Sequence, residues 1–208
     1  MSNFILRSIS SIFLLALGAG IGTSELIKDI AACALFIASF YELKNLKSAL
    51  SAFYSIVVLW GIQVMLITKH TTVFCFLMVA WAHDIGGYFF GKLLGGPKIA
   101  PHVSPNKTWA GFLGGWILII PITFYFTSDI GMPKSYKIIL AFLINTICLI
   151  GDLIESYVKR RAGVKDSGNL IPGHGGVLDR FDSFLFLMIS IRSVSITLKI
   201  LGHYYYGN

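Results

Sequence analysis

Apolar runs of bilayer-crossing length recur along the whole chain, and nothing else in the sequence constrains the fold as tightly. A crossing helix needs about 20 largely apolar residues. Seven candidates are read at about 4–21, 26–41, 52–67, 72–94, 110–127, 137–154 and 182–201. The second and third are short and would tilt, kink or re-enter. Backbone amides in hydrocarbon must pair internally, so these runs are expected to be helices rather than open strands. The expectation is an all-α, polytopic transmembrane helical bundle of about seven spans, forming one domain over residues 1–208. The first run, with Arg7 ahead of small apolar residues, has some features of a signal peptide; it is read as the first span, because the rest of the chain is equally apolar.

Only 13% of the 208 residues are charged, against about 25% in soluble domains, and the mean hydropathy is +0.75. The net charge of +7 is read as the positive bias of membrane loops rather than as a nucleic-acid surface. With seven spans, Arg7, Lys44, Lys47, Lys92, Lys98, Lys107, Lys159, Arg160, Arg161, Lys165 and Arg180 share one side. Lys28, Lys69, Lys134, Lys137, Arg192 and Lys199 go with the other side and the last span. Eleven against six assigns the first set, and the polar site it surrounds, to the cytoplasm.

Cys33, Cys75 and Cys148 stand alone in apolar runs, without a CxxC pair or a Cys/His cluster, and read as small apolar fillers. Gly87 and Gly91, Gly91 and Gly95, and Gly111 and Gly115 are each four apart. Such spacing lets helices approach closely.

Polar residues concentrate in two loops. The denser stretch runs from Glu155 to Ser183, just beyond Gly151-Asp152. On a helix Asp152, Ser156 and Lys159 fall at i, i+4 and i+7, so an acid, a hydroxyl and a cation share a face. A snorkelling helix end would look similar. Lys159, Arg160, Arg161 and Lys165 concentrate positive charge, as a lipid-facing basic loop also would. After Asp166 come Ser167-Gly168 and Pro172-Gly173-His174-Gly175-Gly176, where glycines let backbone N–H groups approach an anion. His174 could donate to a phosphate oxygen or move a proton. Asp179 and Asp182 lie at i and i+3 around Arg180. They could cap a helix or, among cations and glycines, hold Mg2+ against phosphates, with Asp152 completing a two-metal arrangement.

In the second loop Asp84 lies inside an apolar run, where an acid is a functional candidate. Ser104-Pro105-Asn106-Lys107-Thr108 offers a turn, a cation and two hydroxyls at a helix start. That suits phosphate, and an ordinary N-cap explains the hydroxyls almost as well.

The 27 positions from Ser156 to Asp182, read as SYVKR, four residues, KDSG, three residues, PGHGGVLDRFD, resemble the signature of the phosphatidate cytidylyltransferase (CDP-diacylglycerol synthase) family without departure. Ser104 to Gly111, Asp84-Ile85-Gly86-Gly87-Tyr88 and Tyr41-Glu42-Leu43 are similar to that family as well. The chain departs from it at Ala110, where an acid is expected, and at Gly87, where alanine is frequent. The resemblance implies conversion of CTP and phosphatidate to CDP-diacylglycerol and pyrophosphate at a bacterial inner membrane, with the catalytic core at about 81–183. It implies Asp152 and Asp179 as metal ligands for Mg2+, with K+ as a second cation, and Asp182 and Asp166 as orienting groups. Asp152, Asp179, Lys159 and His174 become the expected catalytic residues. Lys159, Arg160, Lys165 and Arg180 would hold triphosphate or lipid phosphate, with Ser156 also contacting substrate; His174, Gly175 and Gly176 would line the phosphate loop, and Ser104, Lys107 and Thr108 would close the site. A homodimer is within what the resemblance implies.

A CTP-dependent lipid kinase would share the nucleotide but is disfavoured by the uninterrupted signature. A transporter would spread its acids through helix interiors, whereas here they cluster in two loops. The aspartate pattern of a CDP-alcohol phosphotransferase is absent from the sequence.

Overall fold

The structure, a computed structural model, describes residues 3–44, 49–172 and 175–206. Seven long helices follow in order: α1 (Asn3–Thr23), α2 (Glu25–Leu43), α3 (Ala49–Ile67), α4 (His70–Leu94), α5 (Trp109–Phe126), α6 (Lys134–Arg161) and α7 (Leu178–Tyr206). Between α4 and α5 sits a small hairpin, β1 (Lys98–Ala100) antiparallel to β2 (Ser104–Thr108), with Lys98 opposite Thr108 and Ala100 opposite Ser104.

The helical bundle is as the apolar runs predict, with one long helix over each of the seven runs. Among the described residues, five helices are long and apolar enough to cross a membrane: α1, α3, α4, α5 and α6. Helix α2 carries Glu25, Lys28, Asp29 and Glu42 within 19 residues, and α7 stands outside the five. The hairpin is a correction. Ser104–Thr108 is a strand rather than a turn, although Thr108 does cap α5, its side chain accepting a hydrogen bond from the Gly111 amide at 3.1 Å.

Long-range contacts define two ends of the bundle. At one end Ser10 of α1 donates to the Pro172 carbonyl (2.9 Å), and Glu42 of α2 accepts from Ser167, Val177 and Leu178. This end also holds the C-termini of α4 and α6, the hairpin and the N-termini of α5 and α7. At the other end Lys28 of α2 reaches the carbonyls of Leu66 and Thr68, where α3 finishes. Two apolar cores fill the space between the ends. One, including Leu35, Tyr54, Val58, Leu77, Phe184 and Leu185, joins α2, α3, α4 and α7; the other, including Val79, Ile119, Ala141, Cys148 and Leu187, joins α4–α7.

The closest helix pair is α4 with α5, and glycine makes it so. A Cβ at Gly86 would lie 2.6 Å from the Gly114 carbonyl oxygen, and one at Gly111 would lie 2.6 Å from that of Gly87. The helices therefore approach backbone to backbone. Gly95 plays a different part: at φ +62° it ends α4.

Candidate active site

Helix α6 is the spine of the site. Its regular turns put Asp152, Glu155, Ser156 and Lys159 along one wall of a cavity of about 580 Å³. Helix α4 contributes His83 and Asp84, the hairpin contributes Ser104 and Lys107, and the first turn of α7 contributes Asp179, Arg180 and Asp182. Thr108 lines the same space. Asp152 is buried at its base, 4% exposed.

Two groups of contacts divide this wall. In the first, Lys107 ion-pairs with Asp152 Oδ2, and His83 Nε2 lies 3.3 Å from the same oxygen. Burial by itself would lower the pKa of Lys107, but the Asp152 and Asp84 charges more than offset it and hold the ammonium above the ordinary lysine value. Asp152 Oδ1 is buried with no hydrogen-bond partner. An orphaned, buried carboxylate oxygen is costly unless a cation or donor meets it. His83, Asp84 and Asp152 each offer a ligand atom within 4.8 Å of the others. This donor set fits a divalent cation.

In the second group, Lys159 bridges Glu155 Oε2 (2.9 Å) and Asp179 Oδ1 (2.7 Å). Asp179 also accepts from the Ser167 amide (3.1 Å) and the Gly176 amide (2.8 Å). Burial opposes its ionisation, but Lys159 and the two amides outweigh that and hold its carboxyl below the usual aspartate value. Behind it Glu42, 0% exposed, takes Ser167 Oγ at 2.9 Å and the amides of Val177 and Leu178 at 2.7 and 3.0 Å. A carboxylate thereby satisfies the open N–H groups at the start of α7 and favours its positive dipole end. The loop closes so tightly here that a Cβ at Gly176 would meet Ser167 Oγ and Glu42 Oε2.

Of the residues expected from sequence, Asp152, Asp179, Lys159, Ser104, Lys107, Thr108, Ser156, Arg180 and Asp182 line one cavity. Arg160 does not; it is exposed and donates to the Val164 carbonyl at 3.0 Å. Lys165 and Asp166 are exposed on the loop after α6. Gly175 pairs with Ile171 in an isolated bridge at φ +93°, beside Asp179 Oδ2. His174 lies outside the described residues.

The sequence reading had assigned no role to His83, Glu155 or Asn145. Glu155 had a signal, standing three residues after Asp152 and four before Lys159. His83 had one in its neighbour Asp84. Asn145 lies two turns before Asp152 on α6, and only the fold reveals that it faces α4.

A model of the cytidylyltransferase family matches residues 3–197. The phosphatidate cytidylyltransferase of Bacillus subtilis (strain 168) is 46% identical over 120 residues, 57% of this chain and 45% of that protein. That of Staphylococcus haemolyticus (strain JCSC1435) is 46% identical over 121 residues, covering 57% and 46% of the two chains. That of Brucella suis biovar 1 (strain 1330) is 47% identical over 116 residues, covering 55% and 43%. This chain thus spans about half the length of the curated relatives it matches.

Proposed function

The chain belongs to the cytidylyltransferase family, and from that premise we propose that it transfers the cytidylyl group of CTP to phosphatidate, giving CDP-diacylglycerol and pyrophosphate. The observation that carries this reading is the cavity itself. Lys107, Lys159 and Arg180 face Asp152, Asp179 and Asp182 at the end of an apolar bundle, where a nucleotide from water and a phosphate on a lipid can meet.

A phosphate oxygen of phosphatidate attacks the α-phosphorus of CTP, and the bond to the β-phosphate bridging oxygen breaks. The nucleophile is already an anion, so positioning and charge neutralisation do most of the work. Lys107, Lys159 and Arg180 draw the phosphates together and offset the charge that grows on pyrophosphate. Ser104, Ser156 and Thr108 supply hydroxyls along the same wall. Gly175, Gly176 and His174 complete a loop that receives phosphate, while Arg160, Lys165 and Asp166 meet the triphosphate or lipid headgroup from outside the cavity. Asp152 and Asp179 would hold Mg2+, with K+ as a second cation and Asp182 orienting them, and the bound cations would add positive charge at the reacting phosphates.

The fold is one domain over 1–208 with its core at about 81–183, in the inner membrane of a bacterium, the cavity facing the cytoplasm. A homodimer fits the family resemblance. The test is production of labelled liponucleotide from CTP carrying its label on the α-phosphate, by the full chain in detergent with phosphatidate and Mg2+. Product is expected from the wild type and not from Asp179→Asn. Absence of product from the wild type, or equal product from the variant, overturns the proposal.

A further inference from the structure

The side of the cavity opposite Asp179 has a feature the proposed reaction does not use. His83 is 2% exposed in the middle of α4, and each of its ring nitrogens faces a polar side chain. Nδ1 lies 2.8 Å from Asn145 Oδ1. The orientation of that amide is fixed, because Asn145 Nδ2 donates to the Phe112 carbonyl at 2.9 Å. Turning the amide over would set oxygen against oxygen. Oδ1 can only accept, so Nδ1 carries a proton and Nε2 is left for the acids on the other side, as a donor when protonated and as a metal ligand when not. Nε2 lies 3.3 Å from Asp152 Oδ2, with Asp84 in reach and Asp152 Oδ1 unpartnered. Gly115 keeps the arrangement open: a Cβ there would lie 2.8 Å from Asn145 Oδ1 and 3.3 Å from His83 Nδ1.

A proton or a metal ion can bridge two such atoms, and the partnerless Asp152 Oδ1 with Asp84 supplies the further oxygen donors that a metal ion takes. Neighbouring ligands of an octahedral ion at about 2.1 Å stand about 3 Å apart. A ring held by a hydrogen bond on one nitrogen and free on the other is the arrangement that orients metal-binding histidines. We propose that His83 is a direct metal ligand, its Nε2 joining Asp84 and Asp152 around a divalent cation in a mixed nitrogen and oxygen set. This rests on reading the cavity as a cation site. It changes which ions the site prefers: imidazole suits Zn2+, Ni2+ and Fe2+, whereas Mg2+ prefers oxygen alone. Asn145 is then a positioning residue, acting through His83.

Pulsed electron paramagnetic resonance of the full chain in detergent, loaded with Mn2+ alone, reads the nitrogen directly. The wild type is expected to show imidazole nitrogen modulation. His83→Gln should lose it and bind Mn2+ about 10–100-fold more weakly, with a smaller change for Mg2+. His174→Gln should keep it. Bound Mn2+ without nitrogen modulation in the wild type overturns the proposal, and so does modulation that survives in His83→Gln or disappears in His174→Gln. The wild-type spectrum decides the matter even where a variant fails to fold. Nitrogen modulation together with no liponucleotide product would leave the ligand standing and remove the cytidylyl-transfer reading instead.

Discussion

The two ends of the bundle use buried charge in opposite ways. At the far end Lys28, 3% exposed, donates to the Leu66 and Thr68 carbonyls at 3.0 and 2.9 Å and pairs with Glu25 at 2.8 Å. Lys137 likewise donates to the Thr127 carbonyl (2.8 Å) beyond the end of α5. These cations satisfy the open carbonyls of helix C-termini, and their bonding capacity is spent inside the protein. At the near end Lys107 and Lys159 face carboxylates across a cavity, and Asp152 Oδ1 has no partner. Charge near a membrane is architectural when backbone groups use it up. It is chemical when some valence is left over for a ligand. The near end contains both kinds within a few residues: Glu42 is architectural, and Asp152 is not.

The largest expected effect falls on the architectural member. Replacing Glu42 with Ala leaves the Val177 and Leu178 amides and the Ser167 hydroxyl without their acceptor in a buried place. A loss of about 4 kcal/mol in stability is expected, read as a large fall in the melting temperature in detergent, with partial recovery in Glu42→Gln. An unchanged melting temperature would show that this end of the bundle does not depend on Glu42. Asp152→Asn should do the reverse. Cytidylyl transfer is expected to fall about 10²–10³-fold, while the melting temperature drops less than in Glu42→Ala. If Asp152→Asn melts earlier than Glu42→Ala and retains activity, the two roles have been assigned the wrong way round.

How far this contrast could be read without coordinates depends on distance along the chain. Helical spacing alone put Asp152, Ser156 and Lys159 on one face and Asp179 with Asp182 on another, and all five line the cavity. The hydroxyl before α5 was legible as a cap. The His83–Asn145 contact spans 62 residues and the Glu42–Ser167 contact 125, and no local pattern encodes either. The strand at Ser104–Thr108 has its partner, Lys98–Ala100, close by in the chain, but Ser-Pro-Asn-Lys-Thr carries turn residues rather than a strand's alternating apolar pattern. Charged residues such as Lys28 were sorted to a side of the membrane, but whether each was spent on carbonyls or left for a ligand needed the neighbouring helix.

Adjacent glycines on α4 repeat the contrast at smaller scale. A Cβ at Gly86 would meet the α5 backbone at 2.6–2.7 Å, whereas one at Gly87 would meet nothing within 4 Å. Gly86→Ala is therefore expected to cost about 2 kcal/mol through overpacking against atoms that cannot move aside. Gly87→Ala should leave the melting temperature unchanged and show its effect, if any, on nucleotide affinity, because Gly87 lines the cavity. Equal melting temperatures for the two variants would remove the close α4–α5 crossing as an explanation of the glycines.

The smallest effect belongs to the far end and is visible only in acid. Glu25 accepts from Lys28 and from the His70 amide and ring at 3.1 and 3.0 Å, and these contacts, Lys28 first, hold its pKa down to about 2 from 4.5. A carboxyl whose folded pKa is depressed contributes stability that is complete above the unfolded value, about 4.5. The contribution is lost as the pH falls through about 2. Between those limits the wild type should lose melting temperature faster than Glu25→Gln, and near neutral pH the two should differ little in cytidylyl transfer. The group is open to solvent, so water and salt screen the interaction and the gap should narrow at high ionic strength. Parallel acid profiles would mean that Lys28 needs only its helix-end carbonyls, which would make the far end still more purely a matter of backbone satisfaction. A large loss of transfer in Glu25→Gln would instead tie the far end to the reaction and break the division between the two.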